Sequence, residues 1–418
     1  MNVLIVAHGH PSLHKGGGEV AAYSMFQMLR AAGHHAVFLG WSGHAESPTR
    51  GALQQIGEDD YLLYTRSEYF HFSSQSVNLR NALEAILATA EFDAVHLHHY
   101  IHVGIEAATL VKQLSPQSRV ILTLHEYLAI CANNGQLFTP AGAVCSGYAP
   151  ERCATCFPER NAATFFMREI AVKSAFSFVD HFLSPSEFLR QQYIRWGIAP
   201  ARISAIENPL PLTPLVAARE LAPPRRGAPW KIGFFGQINF YKGLDILLDG
   251  IAQAVDGGAE LHIGVHGSMS AVTGEEYIEG LKQRIAELGA RAVFHGPYQQ
   301  ARVQELMSQY HFVAMGSRWY ENSPVVIQEA IAAGRPLIVP GHGGMLEKTQ
   351  GIGLAFTPGD SNSLAQRLQA LDKRQYTALK AEVVRQRDAV AVNKQRYFEQ
   401  TVACYADLPQ SETGRASQ

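Results

Sequence analysis

The sequence predicts an α/β protein of two domains, each built on parallel strands joined by crossover helices. Three observations carry this. Apolar strand-like runs alternate with helix-period runs from the N-terminus onward. The chain has 418 residues, too many for one ordinary core. Five prolines fall within the 19 residues 211–229 and interrupt the alternation near its middle.

In order along the first half, Val3 to Ala7 reads as a strand, Glu19 to Ala32 as a helix and Ala36 to Leu39 as a strand. Ala94 to Leu97, Val120 to Leu124 and His181 to Ser184 continue the strands, with helices at Gly104 to Leu114 and Glu187 to Trp196. Trp230 to Gly236 restarts the pattern, followed by LHIGV, RAVFH, FVAM and LIVP, and a long polar helix after about Asp372 comes last. The expected division is a first domain at 1–210, a linker at 211–229, a second domain at 230–390, and a C-terminal helix and tail at 391–418. Net charge is -2 and the pI about 6.8, so no basic field calls for nucleic acid. The start, MNVLIVAH, lacks a charged leader region, and no apolar run reaches the roughly 18 residues of a membrane span. A soluble, cytoplasmic protein is expected.

Residues 316–340, GSRWYENSPVVIQEAIAAGRPLIVP, carry the most chemistry. Ser323 suits a helix N-cap and Pro324 the first helical position, where its missing N–H costs nothing. Val325, Val326, Ala330 and Ile331 give an apolar helix face, and Gly334 with Pro336 stops the helix before a strand. A helix start with free N–H groups holds a phosphate well. Glu321 lies in the loop before it and Glu329 about two turns in. Two glutamates at this spacing would alone read as a solvated helix face; the flanking WYENSP and the stop signal set this pair apart.

Glu–x7–Glu with the trailing EAIAAGRP resembles the signature of the retaining family-4 glycosyltransferases. The resemblance implies the glycosyltransferase-B fold, two facing Rossmann-like domains with a C-terminal helix crossing back. It implies that Glu321 contacts the donor sugar, Glu329 the nucleotide ribose, and Asn322, Ser323, Pro324 and Val325 line the donor site. The first βα loop, HGHPSLHKGGGEV, is not GxGxxG, so a nicotinamide site is not indicated. Gly16, Gly17 and Gly18 resemble the family's glycine loop beside the donor diphosphate; the alternative is a surface turn. In FFGQINFYKGLDILLDGI, Lys242 follows a strand and stands where the family stabilises the departing diphosphate. The family's arginine is here Gln237, which brings no charge, and Arg318 is the candidate to replace it.

His125 and Glu126 match the family's His–acid dipeptide at a strand end, which implies contact between His125 and the donor sugar or its phosphate. His96, His98, His99 and His102 cluster at another strand end, either lining the acceptor site or forming an ordinary polar terminus. A retaining transfer of this kind uses the leaving phosphate to take the acceptor's proton, so no cofactor is required for catalysis. Cys131, Cys145, Cys153 and Cys156 fall within 26 residues. They read as a structural zinc site, as reduced thiols or as disulfides. Residues 162–179, with four phenylalanines, Arg168 and Lys173, read as a buried core helix or as a peripheral membrane contact.

The sequence is thus expected to encode a sugar transferase using a nucleoside-diphosphate sugar and a glycan or lipid-linked acceptor, in surface polysaccharide synthesis. A nucleotide-sugar epimerase and a silent sugar-nucleotide binding protein are the alternatives, the latter resting on Gln237.

Overall fold

The computed structural model describes residues 1–13, 16–42, 53–65, 67–74, 77–210, 215, 219–269 and 274–406. Of the expected linker, 211–214 and 216–218 lie outside the described residues, as do His14 and Lys15 of the glycine loop and 407–418 of the tail.

The first half runs β1 (Asn2–Ala7), α1 (Gly17–Ala31), β2 (His35–Trp41), β3 (Leu53–Gly57), β4 (Asp60–Leu63), α2 (Val77–Leu87) and β5 (Ala94–Leu97). It continues through α3 (Ala107–Leu114), β6 (Arg119–Thr123), α4 (Pro150–Cys156), α5 (Ala162–Phe176), β7 (His181–Ser184), α6 (Glu187–Trp196) and β8 (Ile203–Ala205). These strands form one sheet in the order β3-β4-β2-β1-β5-β6-β7-β8, parallel except where β3 meets β4. Leu4, Val6, Val37, Val95 and Leu122 pack its one face, Val3, Ile5, Phe38, Ala94 and Ile121 its other. Burial on both faces is what a sheet flanked by helices requires, and it explains why the strands read as continuous apolar runs.

The second half runs β9 (Trp230–Phe235), α7 (Leu244–Asp256), β10 (Leu261–His266), α8 (Glu275–Leu288), β11 (Ala292–Gly296), α9 (Val303–Met307) and β12 (Phe312–Ala314). Then come α10 (Val325–Ala332), β13 (Leu337–Pro340), α11 (Gly343–Lys348), β14 (Gly353–Phe356), α12 (Ser361–Gln369), α13 (Lys373–Ala391) and α14 (Asn393–Tyr405). The six strands pair in parallel as β11-β10-β9-β12-β13-β14. The two halves are Rossmann-like, and α14 crosses back: Tyr397 and Tyr405 join the Ile5–Phe38–Ile121 face of the first sheet.

Three local features differ from the sequence reading or escape it. The hairpin β3–β4 gave no usable pattern in the sequence, because Gln54, Gln55 and Ile56 are exposed on an edge strand that has no apolar period to show. Helix α10 begins at Val325 with Pro324 as its cap, and Ser323 donates instead to Glu207 after β8, so the interdomain contact takes the hydroxyl expected to cap the helix. Helix α5 is buried on one face only. Phe165, Arg168, Val172 and Phe176 point inward, while Phe166, Met167 and Ile170, with Phe178 just beyond, are exposed. No helix of the described residues is long and apolar enough to cross a membrane.

Candidate active site

Loops that follow the carboxyl ends of the two sheets meet, Asn322 after β12 reaching His125 after β6 and Ser186 after β7, and such strand ends are where open α/β sheets take ligands. On the second half, two loops meet backbone to backbone. Gly243 sits at φ 61°, a left-handed conformation that suits glycine. A Cβ there would lie 2.0 Å from the Gly316 carbonyl oxygen, and one on Gly316 would lie 2.1 Å from that of Gly243. This approach brings Lys242 to Glu321: Nζ donates to Oε1 at 2.5 Å. The same oxygen accepts from the Ser317 hydroxyl at 2.9 Å and the Trp319 indole N–H at 3.2 Å. Glu321 is buried and Lys242 partly exposed, so the ammonium faces the cleft while its carboxylate partner is anchored behind it. Arg318, expected to stand in for the missing arginine, is held by the carboxylate of Asp245 and the Phe240 carbonyl, and its guanidinium lies 4.2 Å over the Phe240 ring. Its fork braces the Lys242 loop. Gln237 is exposed at the end of β9.

Glu329, on α10, is buried, and burial pushes its carboxyl up to about 7, the Gln300 side-chain amide acting in the opposite direction. Tyr298, whose own acidity is weakened by burial and by Glu329, stands beside it. Asn322, expected on the donor, bridges the two halves instead: its amide oxygen accepts from the Ser186 hydroxyl and its Nδ2 donates to the His125 carbonyl at 3.1 Å. Glu347 adds a second bridge by capping α6 through the N–H groups of Glu187 and Phe188 at 3.0 and 2.7 Å. Neither bridge was visible in the sequence, because each joins residues more than 130 positions apart.

On the first half, Gly16 caps α1 while Gly17 and Gly18 form its first turn, so the triple glycine is a helix start more than a free loop. Glycine is needed for space. A Cβ at Gly18 would lie 3.0 Å from His8 and 3.5 Å from His125, whereas at Gly17 nothing lies within 4 Å. His125 follows β6, and Nε2 lies 3.4 Å from His98 Nδ1. His99 accepts the N–H groups of Tyr100 and Ile101 on Nδ1 at 2.9 Å, so its proton is on Nε2, facing Glu126 at 3.0 Å. His102 stacks on Trp41 with ring centroids 4.1 Å apart. Burial pushes Glu126 up to about 8 and His96 and His99 down to about 3, and holds His98 and His125 well below the ordinary imidazole range. Burial thus favours the uncharged forms of these five side chains at pH 7.

A stability consequence follows from these imidazoles. Their folded pKa values are depressed, so the stability they confer is full above the unfolded value near 6.5 and is lost as pH falls toward 3. His96 and His99 each contribute up to about 1.4 kcal/mol per pH unit in that window. Denaturant midpoints are expected to drop from pH 7 to pH 5. Glu126 and Glu329, raised by burial to about 8 and about 7, act in the opposite sense as pH falls, so a flat profile would show that the imidazoles do not outweigh these two carboxyls.

Cys131, Cys145, Cys153 and Cys156 line a common cavity, and all four are free thiols. Among the described residues, however, no group of three or more His, Cys, Asp or Glu is placed to hold a metal ion, so the expected zinc finds no support. Burial pushes the Cys131 thiol up to about 11. The segment carrying them does reach the cleft: Phe138 meets Phe240 and Tyr241, ring centroids 6.4 and 6.1 Å away, beside Lys242.

Residues 15–213 match the family described as Glycosyltransferase Family 4, and residues 229–373 match Glycosyl transferases group 1. No curated protein matches the chain by sequence. Among solved structures, Anabaena HepE in complex with UDP is 17% identical with a TM-score of 0.67, covering 98% of this chain and 100% of its own. Sucrose-phosphate synthase from Thermosynechococcus elongatus is 18% identical, TM-score 0.65, covering 96% and 100%. The lipopolysaccharide outer core galactosyltransferase WaaB is 16% identical, TM-score 0.62, covering 98% and 100%. At these identities the structures establish the shared fold, and together with the two family matches they show that the chain belongs to the family-4, group 1 glycosyltransferases of the glycosyltransferase-B fold.

Proposed function

We propose that this protein moves a sugar, with retention of anomeric configuration, from a nucleoside-diphosphate sugar to a glycan or lipid-linked acceptor of a surface polysaccharide. The observation that supports this most is the Lys242–Glu321 pair, held at 2.5 Å across two loops, with Glu329 just over one turn into α10. Lys242 spends one proton on Glu321 and has two more for oxygens of the departing diphosphate. Glu321, fixed by Ser317 and Trp319, accepts from a hydroxyl of the donor sugar. Glu329 receives the ribose hydroxyls, which favour its ionised form against the burial that raises its pKa. His125 and the Gly16–Gly18 helix start face the sugar phosphate from the other half. The leaving phosphate takes the acceptor's proton, so the protein contributes position and charge.

HepE is known in complexes with UDP, with UDP and glucose, and with UDP-glucose, which makes uridine donors the first to try. The test is a melting panel of UDP-glucose, GDP-mannose and ADP-glucose, where a donor at 100 times its dissociation constant adds about 2.7 kcal/mol. The product's anomeric proton is then read by NMR. Retention on transfer supports the proposal; an inverted product, a sugar altered without acceptor, or binding with no transfer or hydrolysis contradicts it.

A further inference from the structure

The returning helix α14 carries a residue into the wall of the cleft. Tyr405 is buried, and its hydroxyl lies 2.7 Å from His96 Nδ1, while the Thr123 hydroxyl lies 2.7 Å from His96 Nε2. A neutral imidazole has one donor and one acceptor, and two hydroxyls satisfy both whichever tautomer is present. The His96 ring is thereby fixed from both sides. His98 lies against it, ring centroids 4.1 Å apart and planes 35° apart. His98 is fully buried, and its Nε2 has no hydrogen-bond partner among the described residues. No hydrogen bond at Nε2 fixes its ring, which rests on His96 and meets His125 Nε2 through its Nδ1 at 3.4 Å.

We infer that Tyr405 is a positioning residue for sugar transfer: it fixes His96, against which His98 rests, and so sets the orientation of His125 toward the donor sugar. The inference rests on the role of His125 proposed above. It also gives α14 a task beyond covering the first sheet, because the helix that leaves the second half reaches the reacting end of the first through one hydroxyl. A purely structural tyrosine would affect stability without regard to His125. A positioning one acts through it.

The experiment is a double-mutant cycle on the full chain, using whichever nucleotide sugar of the melting panel binds best and measuring release of its nucleoside diphosphate. Tyr405→Phe and Thr123→Val, each removing one support of His96, are made alone and together with His125→Ala. Each is expected to lower kcat by about three- to tenfold with donor affinity unchanged, and to lower it no further once His125 is alanine. The same fold-loss in both backgrounds, or an unchanged kcat in the single variants, overturns the inference. Full activity of His125→Ala alone would remove the underlying role of His125, and it is seen before any second substitution is read. If Tyr405→Phe fails to fold, Thr123→Val carries the same comparison.

Discussion

Lys242→Ala is expected to lower kcat by about a hundredfold or more while the protein remains folded, the loss seen when one preorganised donor to a developing negative charge is removed. The ammonium is partly exposed and faces the cleft, so its removal leaves no cavity of consequence in the core. Glu321 keeps the Ser317 hydroxyl and the Trp319 indole as partners, which limits the cost of leaving a buried carboxylate without its cation. Lys242→Arg is a sharper control, because it keeps the charge and changes its shape. Steady-state turnover, read beside melting temperatures, separates the chemistry from the fold. Turnover within about threefold of wild type would remove Lys242 from the mechanism.

Gly316→Ala is expected to damage both the fold and the site. The added Cβ meets the Gly243 carbonyl oxygen, a backbone atom that has no rotamer to escape into. Gly243→Ala meets the Gly316 carbonyl in the same way and adds the strain of a left-handed alanine. Overpacking of this kind costs about 1 to 3 kcal/mol. The larger loss should be in activity, since separating the two loops also separates Lys242 from Glu321. A chemical-denaturation midpoint and a kcat that both match wild type would mean that the loops are not in contact in solution.

What the sequence revealed and what it hid divide along a physical line. The chemistry of 316–340 was legible because its signals are local: a proline near a helix start, an apolar face, a glycine–proline stop, two carboxylates at fixed spacing. Alternating runs placed most strands within a residue or two of their observed ends. The pairing of Lys242 with Glu321 was not legible, since it depends on two glycines 73 positions apart letting their backbones touch. Nor was the use of Asn322 and Ser323 as interdomain contacts, because His125, Ser186 and Glu207 reach them only through the packing of one half on the other. Arg318 was read from its neighbourhood as a phosphate ligand, but Asp245 claims it from the first turn of α7, 73 positions earlier. The cysteines show the same limit: proximity in sequence brought the four to one cavity without arranging them around an ion.

In the proposed reaction the buried carboxyl on α10 grips the nucleotide of a sugar donor. Calorimetric titration of the best-binding nucleotide sugar into the native protein and into Glu329→Ala tests it most directly. Each hydrogen bond lost from a charged acceptor is worth about 1.5 to 3 kcal/mol, so donor affinity is expected to be at least about tenfold weaker in the variant, with the protein still folded. Equal affinities in the two proteins would contradict it.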